Sequence, residues 1–204
     1  MNKPSDLVGG LDEVGYGSWA GPLISVVAVF GPETRALLPA GVKDSKKTSE
    51  KQRAAAFQLI IAACDDVGIG HAWPFEIDSM GVIPALQLSY ARALAELRHQ
   101  PATLIVDGDK EVWRYGGKQI IEPKADVNHI EVSAASMVAK HFRDRIMIDY
   151  AREFPAYHFD ENKGYGSPDH ERAIHEHGLL INRNDNSKYI HRWRYCRKVM
   201  GRKP

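Results

Sequence analysis

The feature that most constrains the fold of this chain is a nearly unbroken apolar run from Leu23 to Phe30, rich in β-branched residues. A run of this kind is typical of a strand buried on both faces, because a half-exposed strand alternates apolar and polar residues. Such a strand needs helices on both sides of its sheet. The run is also far too short to span a bilayer. We therefore predict a soluble α/β protein.

The other periodic segments fit this interpretation. Strand patterns occupy residues 7–11, 67–73, 103–106 and, more weakly, 119–121, and helix patterns occupy residues 49–64, 84–99 and 132–154. A further helix is predicted between Ser167, as its N-cap, and Gly178. A glycine-rich turn between the first two strands would make them a hairpin. At 204 residues, one domain is expected.

The net charge is only +1, so the molecule as a whole does not attract nucleic acid strongly. The carboxy-terminal segment differs, because residues 183–204 contain eight Lys or Arg and one acid. Tyr189, Trp193 and Tyr195 are interleaved with these charges. Such a segment can follow a phosphate backbone and stack on bases. It can equally form a solvated amphipathic helix whose aromatic residues dock on the core, and the two interpretations are compatible.

Two cysteines, Cys64 and Cys196, fit neither a metal-binding spacing nor a disulfide framework. Cys64 stands in an apolar helical pattern, so we expect it to be buried. Reduced thiols are the simple interpretation of such a pair in a cytoplasmic protein. The first residues contain no apolar signal core. The sequence therefore predicts a cytoplasmic protein without a membrane segment.

Four acids stand where strands end or where a helix is about to begin. Asp12 and Glu13 follow the first strand, Asp107 follows the strand at 103–106, and Asp126 precedes the long helix. In open α/β sheets, ligands bind at the carboxyl ends of strands. Carboxylates gathered there bind Mg²⁺ or Mn²⁺, and a pair of such ions can hydrolyse a phosphodiester. Taken singly, each acid is better explained as a solvated residue of a turn or a helix start.

Three further segments could bind a phosphate backbone. The turn after the first strand could offer backbone N–H groups to an anion, as glycine-rich turns do. A basic loop precedes the helix at 49–64, and a glycine-flexed loop near residue 164 carries a lysine and an aromatic ring. Each segment could also be a plain turn, a solvated loop or a rim aromatic. The candidate residues are Gly15, Tyr16, Gly17, Ser45, Lys46, Lys47, Lys163 and Tyr165.

Taken in order, these segments closely resemble ribonuclease HII. The resemblance extends from about residue 8 to about residue 178, and several long motifs in a fixed order make it very specific. The matching pieces are Gly10-Leu-Asp-Glu-Val-Gly-x-Gly-x-x-Ala-Gly-Pro22, Val42-Lys-Asp-Ser-Lys-Lys-x-Ser-Glu-Lys51, Val106-Asp-Gly108, Lys124-Ala-Asp126, Ser133-Ala-Ala-Ser136, Ala139-Lys140, Arg143-Asp144 and Asn162-Lys-Gly-Tyr-Gly-Ser167 with His170.

The resemblance implies a ribonuclease H-like fold, with a five-stranded mixed sheet flanked by helices and a helical carboxy-terminal extension. It implies one catalytic domain over residues 1–204, in which about 160–204 form a substrate-binding loop and a basic extension. It also implies a family set of four catalytic metal ligands and a set of substrate contacts that includes two serines. The metal ligands are Asp12, Glu13, Asp107 and Asp126, and the serines are Ser133 and Ser136.

The activity implied by the resemblance is a Mg²⁺- or Mn²⁺-dependent endonuclease. Such enzymes cut the RNA strand of RNA–DNA hybrids and incise duplex DNA on the 5′ side of an embedded ribonucleotide. They leave a 3′-hydroxyl and a 5′-phosphate, which suits ribonucleotide removal and primer processing in DNA repair and replication. We expect a monomer that binds these nucleic acids; the sequence names no protein partner.

The chain departs from the family pattern at two positions. Tyr16 stands where the family usually has arginine between two glycines, so a fork-shaped phosphate ligand is replaced by a neutral ring. Ala125 stands where glycine is common, which is tolerable unless that residue needs a positive φ. The first departure keeps open a hybrid-only specificity like that of ribonuclease HIII, although only about ten residues precede Asp12 and no extra substrate-binding domain is expected there. A catalytically silent hybrid-binding protein is the third possibility.

Overall fold

The computed structural model describes residues 6–38 and 50–201 of the chain. Five strands form one sheet: β1 (Val8–Val14), β2 (Leu23–Phe30), β3 (Asp66–Ala72), β4 (Thr103–Asp107) and β5 (Lys118–Glu122). The α-helices of the described residues are α1 (Pro32–Arg35), α2 (Glu50–Ala63), α3 (Pro74–Met80), α4 (Val82–Ala95), α5 (Ala125–Asn128), α6 (Ile130–Glu153), α7 (Phe159–Asn162), α8 (Pro168–His177) and α9 (Trp193–Met200).

The strands lie in the order β3-β2-β1-β4-β5. β1 pairs antiparallel with β2, whereas β4 pairs parallel with both β1 and β5, so the sheet is mixed. The pairing of β1 with β4 ends where Leu11 lies opposite Val106. The next residues along the two strands are Asp12 and Asp107. The parallel pairing therefore brings two of the four acids to the same edge of the sheet.

Helices approach the sheet so closely that several strand positions have room only for glycine. A Cβ on Gly10 of β1 would lie 2.1 Å from the carbonyl carbon of Glu131 in α6. A Cβ on Gly70 of β3 would lie 1.9 Å from the carbonyl oxygen of Ser89 in α4. Any larger residue would push a helix off the sheet. All eight residues of β2 are buried, which confirms the prediction of a strand covered on both faces.

The chain divides into two compact units. The first comprises residues 1–14, 24–71 and 87–141 and holds most of the sheet; the second comprises residues 15–23, 72–86 and 142–204. The second unit has its own apolar core, to which α9 contributes Cys196 and Val199. The opposite face of α9 is exposed and basic. The carboxy-terminal helix therefore docks on the core of its unit through its apolar face.

Most of the predicted elements are present, with boundaries shifted by a few residues. The prediction of a buried Cys64 is wrong, because this thiol at the end of α2 is only half-buried. Short helices α1 and α3 were not predicted, since each is a proline-started turn without a long apolar period. In the part of the chain that the structure describes, no helix is long and apolar enough to cross a membrane.

Candidate active site

The first unit gathers three of the predicted acids into a partly buried group of like charges. Asp12 and Glu13 lie in β1, and Asp107 is the last residue of β4. Burial raises the pKa of Asp12 to about 7, and the charges of Glu13 and Asp107 add to this rise. Burial and the charge of Asp107 also raise the pKa of Glu13. Three carboxylates that influence one another in this way share one local environment.

Hydrogen bonds orient the first two acids. The backbone N–H of Glu13 donates to Oδ1 of Asp12 over 2.7 Å, and the side chain of Ser136 in α6 also hydrogen-bonds to Asp12. The hydroxyl of Tyr90 in α4 donates to Oε2 of Glu13 over 2.8 Å. Tyr90 fits the apolar period of its helix and gave no sign of a functional role in the sequence. Its position shows that α4 supports the carboxylate group directly.

Asp126 reaches the same edge through a short helix that the sequence did not predict. Asp126 precedes the long helix, as expected, and it lies buried in the first turn of α5. The N–H of Ala125 donates to Oδ1 of Asp107 over 2.8 Å, which ties the start of α5 to the end of β4. The positive φ of this segment, 65°, falls on Lys124 rather than on Ala125. Alanine at position 125 is therefore no obstacle to the local backbone.

The chemistry of this group suits a divalent cation. Carboxylate oxygens are the ligands that Mg²⁺ and Mn²⁺ prefer, and the raised pKa of Asp12 shows that a compensating positive charge would stabilise the group. Among the described residues, no three His, Cys, Asp or Glu side chains are arranged as ready-made ligands of one ion. In this conformation Asp12, Glu13 and Asp107 each accept a hydrogen bond from the protein. The carboxylate oxygens of this group fit such an ion, and the side chains would have to move closer together to coordinate it.

The predicted anion-binding turn lies in the second unit. Gly15 has a φ of +87°, and a Cβ there would lie 2.3 Å from Nε of Arg143, so only glycine fits. Gly17 has no such restriction, because a Cβ there would meet nothing within 4 Å. The N–H of Ser18 donates to the Gly15 carbonyl over 3.3 Å and closes the turn. Tyr16 is 36% exposed, so it is accessible for contact with a ligand.

The glycine-flexed loop lies in the same unit. Tyr165 is exposed, and its ring centroid lies 5.3 Å from the guanidinium carbon of Arg143. Lys163 has a φ of 50°, and its ammonium group donates to the backbone carbonyl of Asp160. The carbonyl of Tyr165 is bound by Nδ1 of His170 over 2.9 Å. The loop is thus held by its backbone while the ring of Tyr165 faces outward.

The remaining substrate-contact candidates differ in what the structure says about them. Ser133 is buried in α6, one turn before Ser136, which is half-buried. The side chain of Ser136 hydrogen-bonds to Asp12 and therefore helps to orient a predicted metal ligand. The three candidates of the basic loop lie outside the described residues: Ser45, Lys46 and Lys47.

Two arginines beneath the turn are functional candidates that the sequence does not reveal. Arg143 and Arg192 are fully buried and donate to backbone carbonyls of residues 16–22. Arg143 belongs to a matched motif but had no assigned role, and Arg192 stood among basic residues that were interpreted together as a surface segment. A sequence does not distinguish a buried arginine from an exposed one when both lie in a charged segment.

The five-stranded mixed sheet with helices on its faces, and with acids at the ends of β1 and β4, defines a nuclease of the ribonuclease H fold. The crystal structure of the ribonuclease H2 from Pyrococcus horikoshii OT3 superposes with a TM-score of 0.75 at 30% identity, covering 95% of this chain and 96% of that chain. The sequence model of ribonuclease HII matches residues 9–198. The chain belongs to the ribonuclease HII family.

Curated relatives agree with this assignment. The ribonuclease HII of Syntrophobacter fumaroxidans is 40% identical over 172 residues, covering 84% of this chain and 72% of the relative. That of Prochlorococcus marinus subsp. pastoris is 37% identical over 180 residues, covering 88% and 85%. A ribonuclease HIII in complex with Mn²⁺ is similar in fold alone, with a TM-score of 0.69 at 19% identity. Family membership makes this protein a ribonuclease H endonuclease that acts on RNA–DNA hybrids.

Proposed function

We propose that this protein hydrolyses phosphodiesters with Mg²⁺ or Mn²⁺ held by Asp12, Glu13, Asp107 and Asp126. The observation that carries the proposal is the grouping of the first three acids at one edge of the sheet, where burial, together with the charges of Glu13 and Asp107, raises the pKa of Asp12 to about 7. Burying like charges close together lowers the stability of the fold. Such a group is typical of a functional site, where a bound cation offsets the repulsion. Lys124, whose positive φ starts α5, sets the position of Asp126.

The residues around the acids hold them in place. Tyr90 fixes one oxygen of Glu13, Ser136 fixes Asp12, and the Ala125 N–H fixes Asp107. The bonds to Glu13 and Asp107 each leave the carboxylate a second oxygen as a ligand for a cation. A bound pair of divalent ions would supply an activated water and would offset the charge on the leaving 3′-oxygen.

We further propose that the substrates include duplex DNA with a single embedded ribonucleotide, cut on its 5′ side to leave a 3′-hydroxyl and a 5′-phosphate. The turn at residues 15–17 would bind the backbone or the 2′-hydroxyl through its amides, and Tyr165 would stack on the sugar or base. The 2′-hydroxyl is the group by which proteins distinguish RNA from DNA. Such an activity would serve ribonucleotide removal in repair and primer processing in replication, in the cytoplasm. The chain would work as one monomeric catalytic domain.

A second candidate function is cleavage of RNA–DNA hybrids only, with the specificity of ribonuclease HIII. The exposed side chain of Tyr16 favours it, because an uncharged ring stands in the turn where an arginine would grip phosphate. Hybrids present many consecutive 2′-hydroxyls, so an enzyme with weak recognition of a single junction can still cut them.

Two labelled duplexes separate these functions. One carries a single ribonucleotide within DNA, the other is a full RNA–DNA hybrid, and each is incubated with Mg²⁺, with Mn²⁺ and with a chelator. Metal-dependent incision just 5′ to the ribonucleotide supports the main proposal, and cutting of the hybrid alone supports the second candidate. A gel shift without product in either metal would identify a silent binding protein and overturn both.

A further inference from the structure

The segment that joins β1 to β2 is held from below by two buried cations. Nε of Arg192 donates to the Gly21 carbonyl over 3.0 Å, and Nη1 donates to the Tyr16 carbonyl over 3.1 Å. Arg143 donates in the same way to the carbonyls of Pro22 and Ala20, over 2.9 and 3.0 Å. Both arginine side chains are fully buried. Backbone carbonyls of this segment therefore solvate two guanidinium groups that water does not reach.

This arrangement is costly, so it calls for a reason beyond packing. Among the described residues, neither arginine forms an ion pair, and Nη2 of Arg192 has no hydrogen-bond partner. Burial, with the nearby charge of Arg143, lowers the pKa of Arg192 to about 9. A buried charge without a paired carboxylate normally costs several kcal/mol. An apolar residue in the place of Arg192 would avoid that cost but would leave the Tyr16 carbonyl without this donor.

The same carbonyl receives a second donor from the first turn of α9. The hydroxyl of Tyr195 donates to the Tyr16 oxygen over 3.3 Å, and its ring centroid lies 5.8 Å from the guanidinium carbon of Arg192. The backbone N–H of Arg192 also donates to the Trp19 carbonyl over 2.7 Å. Four hydrogen bonds from Arg192 and Tyr195, at the start of the carboxy-terminal helix, thus end on residues 16–21.

Fixing a carbonyl also fixes the amide on the other side of its peptide plane. In a trans peptide the C=O and the following N–H point in opposite directions. The Tyr16 carbonyl is directed toward Arg192, so the N–H of Gly17 is directed away from it. Within the described residues, the N–H groups of Tyr16 and Gly17 donate to no protein acceptor. Two neighbouring amides are therefore left facing outward, as in backbone sites that bind anions.

We propose that Arg192 and Tyr195 are positioning residues that hold the turn at residues 15–17 so that its amides meet the substrate backbone. This inference rests on the proposed function, because it assigns the turn to substrate binding. It gives the basic carboxy-terminal segment a defined part in recognition: its first residues shape the turn from inside. Tyr16 brings no positive charge to the turn. Substrate binding there therefore depends more on the geometry of these amides than it would if an arginine contributed a charged contact.

The test uses Tyr195→Phe, which removes one hydroxyl, and Tyr189→Phe as its matched control. Tyr189 belongs to the same segment, but its hydroxyl donates to Asp78 over 3.0 Å and not to the turn. For Tyr195→Phe we expect KM for the single-ribonucleotide duplex to rise about threefold to tenfold, on the scale of one lost hydrogen bond, while kcat changes less than twofold. Tyr189→Phe should leave both constants within twofold. Arg192→Lys, which keeps the charge but not the fork, should show a larger rise in KM.

A second readout needs no substrate. Hydrogen exchange at the amide of Ser18, whose bond to the Gly15 carbonyl closes the turn, should accelerate in Tyr195→Phe and stay unchanged in Tyr189→Phe, with β2 as the internal reference. Unchanged KM and unchanged exchange in Tyr195→Phe would overturn the inference, whether or not Arg192→Lys folds. If the unaltered protein cuts only hybrids, the same rise is expected for KM of the hybrid. If it cuts neither duplex, the proposed function fails, and the exchange result alone still decides whether Tyr195 holds the turn.

Discussion

Asp12 is the residue whose environment is most demanding. It is 7% exposed, and burial together with two like charges raises its pKa to about 7. Asp12→Asn keeps an oxygen to accept the Glu13 N–H but removes one negative charge. We expect it to lower kcat at least about 100-fold, because a cation ligand is lost. We also expect it to raise the free energy of unfolding in chelator by about 1–3 kcal/mol, because the remaining acids repel less.

Activity and chemical denaturation of the Asn variant in chelator and in Mg²⁺ measure both effects. Asp149→Asn is the control, since Asp149 is an exposed acid that pairs with Arg152. That control should keep its activity and change stability by less than about 0.5 kcal/mol. If Asp12→Asn keeps full activity, the assignment of this acid as a metal ligand is wrong.

Tyr16 is the residue at which specificity should be adjustable. Its side chain is exposed, whereas its carbonyl is held by Arg192, so a substitution changes the surface without removing the support of the turn. Tyr16→Arg adds a fork-shaped cation, and we expect the ratio of single-ribonucleotide to hybrid cleavage to rise about threefold or more. Parallel kcat/KM measurements on the two duplexes give the ratio. A ratio that stays flat or drops would count against this role of the turn.

The turn between β1 and β2 is an element in which two glycines have different physical requirements. Gly15 combines a φ of +87° with a Cβ position 2.3 Å from Arg143, whereas Gly17 has open space around it. Gly15→Ala should therefore lower the free energy of unfolding by about 2 kcal/mol or more. Gly17→Ala should change it by less than about 0.5 kcal/mol. Denaturant unfolding of the two variants, measured side by side, makes Gly17→Ala the internal control.

The strands of the sheet could be predicted because their signals are local, whereas the four acids are singled out only by their positions taken together with the order of the surrounding motifs. The composition of Leu23 to Phe30 alone indicates a strand that is buried on both faces, and Asp107 directly follows a β-branched run. The supporting residues could not be predicted in this way. Tyr90 satisfies the apolar period of α4, and Arg192 looks like one more surface cation. Their roles depend on partners that are 77 and 176 residues away in the chain.

At the scale of the whole molecule, the division of the chain into two compact units is a feature that the sequence does not reveal. A 204-residue chain with no linker is expected to be one domain, and its bulk composition gives no boundary. The units nevertheless draw on alternating stretches of chain, so that residues 15–23 belong with residues 142–204. Such a grouping arises from tertiary packing, which neither the hydrophobic periodicity of a sequence nor its secondary-structure propensity reveals.

The second unit contains a histidine pair that should make stability depend on pH. The Leu180 N–H donates to Nδ1 of His191, so the ring proton lies on Nε2, which reaches Nε2 of His170 over 3.1 Å. Burial lowers the pKa of His191 to about 3, and the neighbouring His170 adds to this effect. The folded state thus binds fewer protons than the unfolded state, whose histidine has a pKa near 6.5. This contribution is complete above pH 6.5 and is lost as the pH falls toward 3.

Between these limits the free energy of unfolding should fall by up to about 1.4 kcal/mol per pH unit for this one proton, in addition to the contribution of the carboxylates. His191→Gln replaces the titrating ring, so its unfolding free energy should fall less steeply from pH 6.5 to pH 4, although its value at pH 7 is lower. His175→Gln, on the exposed face of α8, should keep the slope of the unaltered protein. Denaturant unfolding at closely spaced pH values gives the three slopes. Equal slopes for all three proteins would show that His191 does not stay neutral in the fold, because only a buried neutral imidazole withholds a proton that the unfolded chain takes up.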